Sequence, residues 1–313
     1  RGGGTMEQLI IGTGAMGGLF GCLLAPHASV TLLTTNRDHA EVIGGHGLTL
    51  VDLDGATRQV AVEVLTDPGD YGRRANLILI CTKARATGEA AAVARSLLAA
   101  DGLVLTLQNG LGNLEQLVAA VGGERAAAGV TAQAATLLGP GRVRHAGAGP
   151  TVLGIPVGRG GMIGAVAALF TRAGMETYTS DDVDSLLWSK LIVNVGINAL
   201  TALLRVPNGV LVQTPVCDLL LTRAVDEAVA VARARHIDLA YERQLKRVRD
   251  VCVRTVENRS SMLQDILRGR PTEIEVINGA VVALGREAGV ATPVNLLLTQ
   301  LIQALEATAA DRL

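Results

Sequence analysis

The sequence predicts an α/β fold in two parts: an N-terminal Rossmann domain with a doubly wound sheet, then an all-α C-terminal domain. Three observations carry this. Short apolar runs alternate with helical patterns through the first half, as buried parallel strands and crossover helices do. A G-x-G-x-x-G run, Gly12-Thr13-Gly14-Ala15-Met16-Gly17, directly follows the first apolar run. Beyond Thr179-Ser180-Asp181-Asp182 the helical period dominates. The boundary is therefore expected near residue 180, with a nucleotide-binding domain over residues 6–180 and a helical substrate domain over 181–313. Residues 1–5, ahead of Met6, read as a cloning scar.

Leu9-Ile10-Ile11 reads as a buried strand, and the glycine run opens a helix reaching about Leu24. Residues 30–33 form a second strand. Residues 48–51 and 60–64 flank Asp54-Gly55, a dipeptide suited to a hairpin turn. Leu77-Ile78-Leu79-Ile80 is a strand ending at Cys81-Thr82-Lys83. Residues 103–107 form another, ending at Gln108-Asn109-Gly110. Gly139-Pro140-Gly141 marks a further hairpin turn. Ser180, Asp181 and Asp182 are placed to cap a long helix, and Pro207-Asn208-Gly209 breaks the chain after it. Helices are then expected over residues 217–235, 241–257, 273–289 and 293–309.

A length of 313 residues fits about two domains, enough chain to bury a core without staples. Aromatic residues make up only 2%, so the core must rest on Leu, Val, Ile and Ala. A net charge of −1 gives no electrostatic attraction to nucleic acid or an anionic membrane. The basic stretch of Arg243, Lys246, Arg247, Arg249 and Arg254 is interleaved with Asp250 and Glu257, which suits a solvated helix face better than nucleic acid. No apolar run reaches the roughly 18 residues of a membrane span, and no secretory signal is visible, so a cytoplasmic protein is expected. Cys22, Cys81, Cys217 and Cys252 show neither close pairing nor metal-ligand spacing. Reduced core thiols and no metal site are expected.

The glycine run has a physical role at each position. The first glycine allows the tight turn, the second lets the backbone approach a pyrophosphate, and the third permits close packing. The helix N-terminus then faces the anion with free N–H groups. An NAD site usually carries an acid at the end of the second strand. Here that strand ends in Leu33-Thr34-Thr35-Asn36-Arg37, with no acid before Asp38. Hydroxyls and a guanidinium suit the 2′-phosphate of NADP(H) better. Lys83, at the end of another strand, offers a second cation. Each of these two cations also fits a solvated surface.

Lys190, Asn194 and Asn198 recur every four residues in W-S-K-L-I-V-N-V-G-I-N-A-L-T. At about 100° per residue they share one face of a helix whose other faces are apolar. A buried lysine is costly unless it is paired or used. One ammonium and two amides in a row suit the wall of a polar-ligand site. The lysine would be the proton donor of a carbonyl reduction. The same spacing also fits a snorkelling lysine and two amides bonded to backbone. Downstream, Asn258, Ser261 and Glu273 form a second group. Ser260-Ser261 sits where a helix could break and offers donors to a carboxylate. Glu273 opens a helix, where an acid also complements the helix dipole.

Together these blocks resemble the ketopantoate reductase (2-dehydropantoate 2-reductase) family over nearly the whole chain. The resemblance is carried by G-T-G-A-M-G at Gly12, T-K at Lys83 and Q-N-G at Asn109. It continues in the Lys190 block, P-N-G at Asn208, E-N-R-S-S-M-L-Q-D and T-E-I-E-V-I-N-G at Glu273. It implies NADPH-dependent reduction of 2-dehydropantoate to (R)-pantoate, a step toward pantothenate and coenzyme A. It implies a helical domain of the 6-phosphogluconate dehydrogenase-like type, with substrate in the cleft between domains. Lys190 then matches the general acid. Asn194, Asn198, Asn208 and the Asn258–Ser261 segment match substrate-site residues. Asn109 matches a residue touching cofactor and substrate, Ala135 a backbone contact to the cofactor, and Glu273 an acid near the ribose and the lysine. Two positions depart from the family pattern. Thr35 stands where many members place an arginine for the 2′-phosphate, and Ala86 stands where a polar Gln or Asp is common. The rival readings are a reductase of another branched 2-keto acid and a non-catalytic NADP sensor. The apolar C-terminal helices would suit a homodimer.

Overall fold

A computed structural model describes residues 6–311, so the expected cloning scar at residues 1–5 lies outside the described residues. The chain forms two compact units. One comprises residues up to 108 together with 113–183. The other comprises residues 109–112 together with those from 184 onward.

In the first unit, β1 (Glu7–Ile11) runs into α1 (Ala15–Leu24), and β2 (Ser29–Leu33) into α2 (Arg37–His46). β3 (Leu48–Val51) and β4 (Thr57–Val60) make the hairpin expected at Asp54-Gly55. The chain continues through β5 (Glu63–Leu65), β6 (Ala75–Ile80), α3 (Thr87–Leu97) and β7 (Leu98–Thr106). Next come α4 (Asn113–Val121) and β8 (Ala126–Thr131). β9 (Ala134–Gly139) and β10 (Arg142–Gly147) pair antiparallel across the second expected turn. β11 (Thr151–Gly154), α5 (Gly160–Arg172) and β12 (Thr177–Ser180) complete the unit.

The larger sheet runs β12-β11-β8-β7-β6-β1-β2-β5, and its six strands from β8 to β5 are mutually parallel. Strand order reverses at β1, so the loops after β1, β2, β6 and β7 open on one edge. That is where doubly wound sheets bind ligands. Residues 60–64 are not the single strand expected. Val60 pairs with Leu48 in the smaller sheet, while Glu63 pairs with Thr31 in the larger one. The chain changes sheets between them, which a local apolar pattern does not reveal. Apolar side chains fill both faces of the larger sheet, with Phe20 stacked on Phe170 at 5.9 Å between centroids on one of them.

The remaining helices are α6 (Val183–Leu204), α7 (Val210–Gln213), α8 (Pro215–Ala234) and α9 (Tyr241–Arg254). They are followed by α10 (Ser261–Leu267), α11 (Asn278–Ala288) and α12 (Pro293–Ala307). Leu191, Ile192, Val195 and Leu200 of α6 join one core with residues of α8, α9, α11 and α12. The helix expected over residues 273–289 is divided. A single 3₁₀ turn, Ile274–Val276, precedes α11, and Ile277 between them has φ −106° and ψ −95°. The Val276 carbonyl accepts from Leu111 N–H at 3.1 Å instead of serving a continuous helix. α6 also departs from expectation, since its 22 residues are long and apolar enough to cross a membrane by length and composition. Asp184 and Lys190 interrupt the apolar run without breaking the helix. Of its most apolar stretch, 67% is buried in the protein, so that apolarity is spent on packing.

Candidate active site

In the first unit the glycine loop is shaped by its own packing at two of its three glycines. Gly12 has φ +96°, and a Cβ there would lie 2.7 Å from Thr82 N. A Cβ on Gly17 would lie 1.8 Å from the Gly12 carbonyl oxygen, so the third glycine packs against the loop itself. Gly14 differs, because it is exposed and a Cβ there would meet nothing within 4 Å. The protein has no packing reason for that glycine, whereas a pyrophosphate approaching the backbone would. Thr13 is buried, while Ala15 and Met16 are half-buried at the start of α1.

At the end of β2, Thr34 is buried and Thr35, Asn36 and Arg37 are exposed. Asn36 caps α2, its Oδ1 accepting from His39 N–H at 3.0 Å. Arg37 is the first residue of α2. Lys83 is exposed ahead of a 3₁₀ turn, Ala84–Ala86, that holds Ala86. Ala135 lies on β9 opposite His145. One residue at this edge was missed from sequence. Gln108 Nε2 donates to the Thr82 carbonyl at 2.7 Å and to Thr87 Oγ1 at 3.0 Å. Thr106 Oγ1 donates to Gln108 Oε1 at 2.8 Å, and Thr87 Oγ1 to Asn113 Oδ1 at 2.9 Å. This network fixes the Thr82–Lys83 loop. Its signal in the sequence is the glutamine of Q-N-G, Gln108.

In the second unit, Lys190, Asn194 and Asn198 follow one face of α6. Lys190 is only partly exposed, and burial pushes its pKa down to about 8, against the opposing pull of the nearby Glu273 carboxylate. Asn109 Nδ2 donates to Glu273 Oε2 at 3.2 Å, so Lys190, Glu273 and Asn109 form one cluster. Asn198 is buried, and its Nδ2 has no hydrogen-bond partner. A buried orphan donor is costly, and a ligand acceptor could satisfy this one. Asn208 is buried too. Its Nδ2 donates to Thr255 Oγ1 at 2.9 Å, while its Oδ1 is unpartnered. The Asn208 N–H donates to the Asn258 carbonyl at 3.0 Å, joining those two segments, and the Asn258 side chain is exposed.

Ser260 and Ser261 divide their roles. Ser260 is buried and caps α10, accepting from Leu263 N–H at 3.1 Å and from Thr201 Oγ1 at 2.7 Å. Ser261 is exposed in the first turn of α10. Of the two hydroxyls, Ser261's is the one open to a carboxylate.

Comparison with known proteins follows the same division. Residues 8–158 match the family model described as ketopantoate reductase PanE/ApbA, and residues 182–306 match its C-terminal counterpart. A 2-dehydropantoate 2-reductase of Halobacterium salinarum is 40% identical over 302 residues, covering 95% of this chain and 98% of its own. The chain belongs to the ketopantoate reductase family. It is accordingly an oxidoreductase. A PanE/ApbA family ketopantoate reductase from Ralstonia eutropha shares the fold, with TM-score 0.88 and 34% identity over 97% of this chain and 99% of its own. Ketopantoate reductase relatives are not all alike in substrate. A D-mandelate dehydrogenase, solved with NADH and anilino(oxo)acetate, reaches TM-score 0.91 at 28% identity over 97% of this chain and 99% of its own.

Proposed function

We propose that the protein reduces 2-dehydropantoate to (R)-pantoate with NADPH, in the branch of metabolism leading to pantothenate and coenzyme A. The observation that carries the chemistry is Lys190. A lysine held near pKa 8 is protonated at neutral pH yet close enough to neutrality to give its proton up. The nicotinamide, when bound, supplies the hydride to C2 of the keto acid. Lys190 supplies the proton to the oxygen. The orphan donor of Asn198 and the amide of Asn194 orient the keto acid's oxygens, and Asn208 contributes its free acceptor to a hydroxyl. Ser261 receives the carboxylate. Glu273 favours the ammonium form of Lys190 between turnovers, and Asn109 holds Glu273 in place.

The open space at Gly14 supports a pyrophosphate at the glycine loop. Gly12 to Gly17, with the backbone at Ala135, would hold the dinucleotide. The absence of an acid before Asp38, with Thr35 and Arg37 exposed, supports NADPH over NADH, and Lys83, following β6, adds a cation on the same edge of the sheet. A second reading is supported by the D-mandelate dehydrogenase similarity, namely reduction of another branched 2-keto acid on the same residues. A steady-state assay of the purified protein decides among these. It would compare 2-dehydropantoate with other 2-keto acids, each with NADPH and NADH. The highest kcat/KM is expected for 2-dehydropantoate with NADPH. A clear preference for another keto acid selects the second reading, and no turnover with any of them leaves a binding protein.

A further inference from the structure

Thr201 ends the W-S-K-L-I-V-N-V-G-I-N-A-L-T block on α6. It stands about three helical turns after Lys190, so it falls on the face that carries Lys190, Asn194 and Asn198. It is 0% exposed. A hydroxyl without access to water needs partners inside the protein. Thr201 Oγ1 donates to Ser260 Oγ at 2.7 Å, and the carbonyl oxygens of Ile197 and Asn198 lie 2.9 and 3.1 Å from it. The hydroxyl has one proton, and Ser260 Oγ is the nearest of the three acceptors. The two carbonyl contacts are the back-bonds that a threonine makes in its own helix. The contact to Ser260 instead crosses to a segment 59 positions away.

Ser260 Oγ also accepts from Leu263 N–H at 3.1 Å, as the N-cap of α10. Its two lone pairs are thereby divided between α6 and α10. Ser260 and Ser261 are consecutive, so the start of α10 and the place of the exposed Ser261 hydroxyl are set together. The chain leading to them is tied to the end of α6 as well. Asn208 N–H donates to the Asn258 carbonyl at 3.0 Å, and Gly209 N–H to the Val256 carbonyl at 3.1 Å. These backbone bonds hold residues 256–258, and Thr201 holds the cap itself. We propose that Thr201 is a positioning residue for the keto acid: through Ser260 it registers the start of α10 on α6, so that Ser261 meets the carboxylate while Asn194 and Asn198 hold the other oxygens. This rests on the reading of Ser261 as the partner of the carboxylate. Thr201 is buried and touches no substrate atom in that reading, so its effect passes through Ser261.

The test compares wild type with Thr201→Val, Thr201→Ser, Ser261→Ala and the Thr201→Val/Ser261→Ala pair, in steady-state reduction of 2-dehydropantoate at saturating NADPH. Valine keeps the branched shape without the hydroxyl, whereas serine keeps the hydroxyl. In Thr201→Val the KM for the keto acid should rise about threefold to tenfold, the scale of one hydrogen bond. Its kcat should stay within about twofold of wild type, as for a loss of uniform binding. Thr201→Ser should recover a KM close to that of wild type. Once Ser261 is alanine, Thr201→Val should change KM by less than about twofold, because the two residues act as one unit. Full additivity overturns the proposal, as does an unchanged KM in Thr201→Val or a serine variant that behaves like valine. An equal weakening of NADPH, read by fluorescence titration, marks general damage and overturns it too. If Thr201→Val does not fold, Ser260→Gly takes its place, since glycine keeps most of the N-cap preference and lacks the hydroxyl. The same rise in KM and the same dependence on Ser261 are then expected, and their absence overturns the proposal. Ser261→Ala with a wild-type KM overturns the carboxylate reading and the proposal with it, a separate and recognisable failure.

Discussion

Asn109 and Glu273, 164 positions apart, are joined by a hydrogen bond of 3.2 Å from Nδ2 to Oε2. The bond depends on how residues 109–112 lie against the 3₁₀ turn at 274–276. Gly110 has φ +82°, and a Cβ there would sit 2.4 Å from the Val276 carbonyl oxygen. The neighbouring Leu111 N–H donates to that same carbonyl. Gly110→Ala must therefore lift the segment away and take Asn109 from Glu273. A stability loss of about 1–3 kcal/mol in chemical denaturation is expected, with a lower kcat. Unaltered kcat would show that the Asn109–Glu273 bond does not serve the chemistry.

Lys190→Ala should lower kcat by about 10²–10⁴, the usual contribution of a general acid, while NADPH affinity stays nearly unchanged. Stopped-flow turnover and cofactor titration measure the two separately. A variant with wild-type kcat would remove Lys190 from the mechanism.

The pH dependence follows from the direction of the Lys190 shift. The acid form is needed, and the pKa is lowered to about 8, so kcat should fall as pH rises through that value. Glu273 opposes the shift, so Glu273→Gln should move the alkaline limb to lower pH. For stability the sign is the reverse of a salt-bridged lysine. The folded pKa lies below the unfolded one, so below pH 8 the full cost of burying charge is felt. Between about 8 and the ordinary lysine value the unfolded state holds more protons and stability rises with pH. Lys190→Met should consequently stabilise the protein at pH 7, by about 1–3 kcal/mol, and inactivate it. Urea midpoints at pH 7 and pH 10 test this, and a gain that does not shrink at pH 10 contradicts it.

Asn198→Ala should raise KM for the keto acid and lower kcat/KM about tenfold to a hundredfold, the effect of a lost hydrogen bond to a polar substrate. Because Nδ2 has no partner among the described residues, its removal should cost little stability. A large drop in Tm with unchanged kcat/KM would make Asn198 a structural residue.

Arg37→Ala should weaken NADPH about tenfold or more and leave NADH nearly unaffected, as expected for loss of a contact to the 2′-phosphate. Equal effects on both cofactors, read as kcat/KM ratios, would place the 2′-phosphate elsewhere.

Much of the fold was readable because its signals are local. Apolar runs marked β1, β2, β6 and β7, and turn dipeptides marked both hairpins. The chain's change of sheet between Val60 and Glu63 was not readable, because pairing partners and not local composition separate the two strands. The split of residues 273–289 was hidden for the same reason. A carbonyl captured by Leu111 ends the turn, and that donor lies far away in sequence.

The sequence by itself determined the glycine loop, the four-residue spacing that aligns Lys190, Asn194 and Asn198 on α6, and the missing acid at the end of β2. These follow from backbone periods and residue chemistry, which need no distant partner. Only the tertiary structure decided that Asn109 meets Glu273 and that Ser260 is consumed as a cap while Ser261 stays open. It also decided that Lys190 is poised near pKa 8. Desolvation and long-range hydrogen bonding depend on which surfaces meet, and no local pattern encodes that.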